Sequence, residues 1–176
     1  MRYEATLHLV SRLPSRRPAP ALPSRLDALF GELAACTGAA EALSVEDEIW
    51  RAWMYDGREE AEEALDRAAA DIAARRYDIA ETRLARLLRE RPGWAEAWNK
   101  LATLYYLTER DDEAVAAIGR TLALEPRHFG ALAALGEILR AQGEAEPARL
   151  AFAMALRFNP HLEAVRESVR ALAGGR

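Results

Sequence analysis

AEAWNKLATLYYLTERDDEAVAAIGRTLALEP, residues 95–126, decides the fold. Its first half places Trp98, Leu101, Leu104 and Tyr105 at steps of three and four, which is one face of a helix. Asp111, Asp112 and Glu113 then supply a cap and first-turn carboxylates for a second helix. Ala114, Val115, Ile118 and Leu122 form its apolar stripe. Pro126 stops it, because proline cannot continue the hydrogen-bond ladder and turns Glu125 away from helix. Ala102 and Ala114 are small where the two helices must approach, and bulk at either is expected to cost ~1–3 kcal/mol.

The same plan recurs on both sides. Pro92, Pro126 and Pro160 are 34 residues apart, as are Ala80, Ala114 and Ala148, Leu88, Leu122 and Leu156, and Ala68, Ala102 and Gly136. A fixed period of this length is the signature of stacked helical units. In the last unit Leu132, Leu135, Gly136 and Leu139 mark the first helix, Gly143 the turn, and Ala148, Phe152, Ala155 and Leu156 the second. The first unit is weaker, with Arg67 and Asp71 where the middle unit has Leu101 and Tyr105. Its second half is regular, through Tyr77, Ala80, Leu84, Leu87, Leu88 and Pro92.

These motifs resemble the tetratricopeptide repeat (TPR) family. The middle unit carries Trp98, Leu101, Ala102, Tyr105, Ala114, Ile118 and Pro126 at that family's spacing, and the last unit carries Leu132, Leu135, Gly136, Leu139, Ala148, Phe152 and Pro160. The runs 95–107 and 126–132 also look like a group of bacterial TPR proteins without an assigned activity. The resemblance implies an all-α fold, a right-handed α-α superhelix or TPR solenoid of about nine helices and no strand. The expected units are 61–94, 95–128 and 129–160.

Array ends expose apolar faces and need caps. Leu162, Val165, Val169 and Leu172 line one side of a C-terminal capping helix within 161–176. Leu26, Leu29, Phe30 and Leu33, then Val45, Ile49, Trp50 and Trp53, suggest a degenerate hairpin over 26–60 that caps the first repeat through its tryptophans. Ser44 with Asp47 is the expected start of its second helix. Residues 11–25 hold four prolines and four arginines, so 1–25 is expected to be an extended, disordered leader. Arg16-Arg17 lacks the apolar run that an export signal needs. The compartment expected is cytoplasmic, or periplasmic if translation starts elsewhere.

Composition narrows the function. Apolar residues make up 51% and charged residues 30%, enough to bury a core and stay out of the disordered class. No apolar run is long enough for a membrane span. Residues 27–66 have a net charge of −10 while 67–176 have +2, so the repeats offer no basic face and nucleic acid is not an expected partner. The acidic block reads as a solvated helix face or as a surface for a basic partner. One cysteine, Cys36, excludes an internal disulfide framework and reads as a small apolar residue near a helix end. His8, His128 and His161 have no companion ligands nearby, and His128 and His161 read as exposed link residues. No phosphate-binding glycine loop is present. No catalytic residue, metal or cofactor is therefore expected. Trp94 reads as a staple at the junction of two repeats.

In TPR proteins the first helix of each pair lines a concave side, the usual peptide-binding surface. By position that lining is Leu65, Ala69 and Ile72, then Glu96, Asn99, Lys100, Thr103 and Tyr106, then Ala133, Glu137 and Arg140. Asn99 could bond a peptide backbone both ways, Tyr106 gives an amphipathic contact, and Lys100 and Arg140 could take a carboxylate. Chaperone-binding members clamp a C-terminal carboxylate with Lys and Asn. Leu65, Ala69, Ala133 and Glu137 depart from that clamp. The expected function is a non-enzymatic module that binds a peptide or helical segment of a partner protein in this groove, with Asn99→Ala sparing stability. The alternatives are a homo-oligomer formed through the hairpin or an array end, and an enzyme subunit with a site in 26–60.

Overall fold

The thirty-four-residue rhythm becomes three helical hairpins in the computed structural model, which describes residues 3–20 and 22–174. They are α4 (Glu59–Ala73) with α5 (Tyr77–Glu90), α6 (Ala95–Leu107) with α7 (Asp111–Leu124), and α8 (Phe129–Ala141) with α9 (Ala145–Phe158). Corresponding bonds repeat in each. Arg91, Glu125 and Asn159 donate their N–H groups to Leu87, Thr121 and Ala155, and a proline follows each at the corner. Inside each hairpin Arg75, Glu109 and Gly143 adopt positive φ, at 57°, 58° and 79°. The next N–H of each reaches back to Asp71, Tyr105 and Leu139, which closes the first helix with its last carbonyls satisfied. Among the described residues there is no strand.

Small residues set the helix spacing. Ala68, Ala102 and Gly136 are buried on the first helices, and Leu84, Ile118 and Phe152 occupy the matching places on the second. The largest of these three partners faces the only glycine. A Cβ on Gly136 would overlap the Phe152 ring. Gly136→Ala should therefore lose ~1–3 kcal/mol in urea unfolding. Adding Phe152→Ile should recover most of it, since that recreates the middle unit's Ala–Ile pair.

Asp71, which takes the place of Tyr105, is buried rather than solvated. Arg76 and Arg83 each hold one of its oxygens, at 2.9 and 2.7 Å. The Arg76 hydrogen bond, with Arg83 behind it, outweighs burial and keeps this carboxyl below the usual range. At the other end α10 (Glu163–Gly174) covers the last hairpin with Val165, Val169 and Leu172.

The N-terminal third departs from expectation. Residues 4–12 are not an extended leader; Glu4–Arg12 is a helix, α1, followed by a 3-10 turn over Leu13–Ser15. Tyr3, Leu7, Val10 and Leu13 recur at steps of three and four, and the prolines begin only at Pro14. The polar residues Glu4 and His8 break an apolar run but not an amphipathic stripe. Val10 and Leu13 are buried in the core of the last two hairpins, against α7 and α9. The proline-rich stretch then crosses the end of α7, where Ala19 N–H donates to the Leu124 carbonyl at 2.8 Å.

The hairpin of α2 (Arg25–Ala35) and α3 (Ala39–Met54) does not cap the first repeat either. Helix α3 starts at Ala39, so Ser44 lies within it and is not its cap. It crosses the inter-unit corners one after another. Glu46 accepts from Asn159, Trp50 packs on His128, Trp94 donates to the Trp53 carbonyl, and Asp56 pairs with Arg91. The tryptophans find their apolar partner at Phe129, at the start of α8, while Trp94, just before α6, bonds the Trp53 carbonyl, and this decides where the hairpin lies.

Candidate functional site

The first-helix side of the array is the candidate site, and α3 lies along one edge of it. The aromatic contact is extensive. Trp53 stacks on His128 with ring centroids 4.0 Å apart, and Trp50 meets Trp53, His128 and Phe129 edge-on at 5.1–5.5 Å. Gly130 is required here, because a Cβ would stand 2.6 Å from the Trp50 ring. Phe30 of α2 closes the cluster against Trp53 and Phe129, with Arg127 over its outer face.

Under the tryptophans sits a charged group with no exposed surface. Glu96, in the first turn of α6, is fully buried. Its carboxylate accepts from His128 Nε2 at 2.9 Å and Asn99 Nδ2 at 3.2 Å, and it pairs with Lys100 Nζ at 2.8 Å. The other ring nitrogen, His128 Nδ1, accepts from the Ala131 N–H at the start of α8. Burial pushes the Glu96 carboxyl up. The His128 hydrogen bond and the Lys100 charge outweigh it and hold the group below the usual range. Both side chains of this Glu–His pair are at 0% exposure.

The expected lining residues divide into two groups. Leu65 and Ile72 face the core of the first hairpin. Glu96 and Asn99 lie buried at the α3 edge, so Asn99 supports Glu96 instead of offering a peptide contact. The expectation that Asn99→Ala spares stability is corrected accordingly. His128 is likewise fully buried and not an exposed link residue. His161 bonds the Leu33 carbonyl of α2. The accessible lining is Thr103, Tyr106 and Arg140, with Ala69, Lys100, Ala133 and Glu137 part-buried. Leu107, which sequence reasoning missed, is 46% exposed beside Tyr106 at 45%. Glu137 is fixed by Arg140 at 2.7 Å and by Ser168 of α10 at 2.6 Å. Trp94 is the expected staple, 5% exposed and bonded to the Trp53 carbonyl. Trp50 and Trp53 pack across the middle and last units, not onto the first as expected. Cys36 is half-buried, and its thiol donates to the Glu32 carbonyl.

Three helical hairpins in register, with a closing helix, give this chain an α-α solenoid fold like that of TPR domains. The resemblance read from its motifs holds in both sequence and fold. No family model matches the chain. A TPR repeat-containing protein of Rhizobium etli is 29% identical over 172 residues, which is 97% of this chain and 84% of that protein. The Sgt2 TPR domain from Aspergillus fumigatus superposes with a TM-score of 0.56 at 16% identity, covering 68% of this chain and 85% of its own. A MamA structure superposes at 0.55 with 21% identity, over 83% and 81% of the two chains. Among the described residues no helix is long and apolar enough to cross a membrane, and no three His, Cys, Asp or Glu side chains converge to hold a metal.

Proposed function

We propose that the chain is a non-enzymatic protein-interaction module. It takes a helical or extended segment of a partner protein on the part of the concave face that α3 leaves open. The observation that carries this reading is the pair Tyr106 and Leu107, both nearly half exposed, on the first helix of the middle unit. Around them lie Ala69, Thr103 and Ala133, and the charged Lys100, Glu137 and Arg140. Tyrosine loses little entropy on contact and offers both an apolar ring and a hydroxyl. The single charged side chains at the rim would set the register of the bound segment more than its affinity.

A second reading is favoured by two other exposed residues. Leu43 and Tyr55, at 60% and 57% exposure, stand on the outside of the α2–α3 hairpin and support self-association there. A photo-crosslinking residue placed at Thr103 or at Leu43 separates the two. Capture of a partner from Thr103, with affinity reduced about tenfold by Tyr106→Ala, is the expected result. Crosslinking of the chain to itself from Leu43, with nothing captured from Thr103, would establish the second reading instead.

A further inference from the structure

Helix α1 shows that the second-helix side of this array also holds a helix. It lies against α7 and α9. The Tyr3 hydroxyl bonds Asp112 at 2.9 Å and accepts from Gln142 at 3.0 Å. Thr6 stands over Gly119, where a Cβ would come within 3.1 Å of its hydroxyl. Arg16 reaches the Ala123 carbonyl. The segment 3–16 therefore runs in the same sense as α7, from Tyr3 at Asp112, through Thr6 at Gly119, to Arg16 at Ala123, four residues past the end of α1.

One unit earlier, the corresponding side of α5 is open. Asp78, Glu81, Thr82, Ala85 and Arg89 line a shallow cleft of about 410 Å³. Asp78, Glu81, Ala85 and Arg89 stand 34 residues before Asp112, Val115, Gly119 and Ala123. Three of those are the α7 residues that Tyr3, Thr6 and Arg16, in and beside α1, touch, and Val115 is buried in the same cluster as Val10 and Leu13. Ile79 stands next to Asp78 at 47% exposure.

From this register we infer that α5 carries a second helix seat for an amphipathic helix of a partner protein. The occupant runs parallel to α5, with its N-terminal end at Asp78 and its C-terminal end at Arg89. The charges suit that direction. A carboxylate faces the positive end of the helix dipole and a guanidinium faces the negative end. The occupant differs from α1 in two ways. Ala85 replaces Gly119 and brings a Cβ into a space that Thr6 already fills, so the partner needs alanine, serine or glycine there. Arg89 replaces Ala123, so a carboxylate fits where α1's segment has Arg16. Glu81 is held by Arg110 at 2.9 Å, and Arg110 also lies over Tyr105, so this flank presents a fixed polar rim in place of Val115.

The test uses the full chain and a synthetic peptide of residues 3–16 carrying Thr6→Ala and Arg16→Glu. Amide chemical shifts are followed as the peptide is added to millimolar concentration. Shifts at Asp78, Thr82 and Ala85 are expected. Ala85→Arg, at an exposed position that leaves the circular dichroism melt unchanged, should raise the dissociation constant about tenfold. The unmodified peptide should bind more weakly than the substituted one. The inference fails if no shifts appear. It also fails if they cluster on α7 and α9, meaning exchange with α1 itself, or around Tyr106 on the concave side. Equal binding of the two peptides overturns the requirement for a small residue over Ala85.

Discussion

Trp53→Ala is expected to cost about 3–5 kcal/mol of stability, the range for removing a buried aromatic side chain. Trp53 is 1% exposed and its ring touches four others, those of Phe30, Trp50, His128 and Phe129. Its indole N–H is 3.5 Å from Glu125, so that hydrogen bond is weak and packing dominates the loss. The main-chain bond from Trp94 survives the substitution, because the acceptor is the Trp53 carbonyl. The damage should therefore concentrate in the hairpin. Hydrogen exchange should speed up across α2 and α3 while α7 and α9 keep their protection. Urea unfolding measures the total. A loss below about 1 kcal/mol would mean that the array stands without its hairpin, and the aromatic cluster would not be the joint described above.

Glu96→Ala is expected to cost a similar amount, about 3–5 kcal/mol, because it strands buried partners. His128 and Asn99 direct donors at this carboxylate, and Lys100 pairs with it as an ion. A double-mutant cycle with His128→Phe should show strong coupling, since removing both partners leaves less uncompensated polarity than removing one. The pH dependence follows from the direction of the shift. The folded carboxyl lies below its ordinary value, so its contribution is full above the unfolded value of about 4.3. It is lost as the pH falls through the lower folded value. Asp71 and Glu163, also held low by arginine partners, act in the same sense. Stability should fall in acid, and Glu96→Gln should flatten that fall. An unchanged acid profile in Glu96→Gln would show that the other carboxylates carry it.

The repeat was legible because its information is local. Three- and four-residue spacings fix each helix, and the prolines at 34-residue intervals fix the corners. Placement of the N-terminal third was not legible, because it rests on contacts between residues from 35 to more than a hundred positions apart. The stripe in α1 was present in Tyr3, Leu7, Val10 and Leu13, yet nothing in it names α7 and α9 as the seat. Trp50 and Trp53 announce burial but not the surface they bury. The same gap misplaced Glu96 and Asn99, two of the eleven expected lining residues. A polar residue at Glu96, in the row where the last unit has Gly130, was the available sign that something approaches closely there. Family position puts Asn99 on the groove, and only the course of α3 shows that it is covered.

Most helical arrays grow as a row of neighbours, each unit settling on the one before. Here the order of synthesis and the order of assembly disagree. Helices α1 and α3 leave the ribosome first, but the surfaces that receive them are built from the corners around residues 94, 128 and 159 and from helices α7 and α9. The nascent chain must carry two amphipathic helices, one bearing both Trp50 and Trp53, without a complete seat until the last hairpin has emerged. A chain cut short before residue 129 would lack Phe129 and the last hairpin, and so much of the surface that buries Trp50 and Trp53.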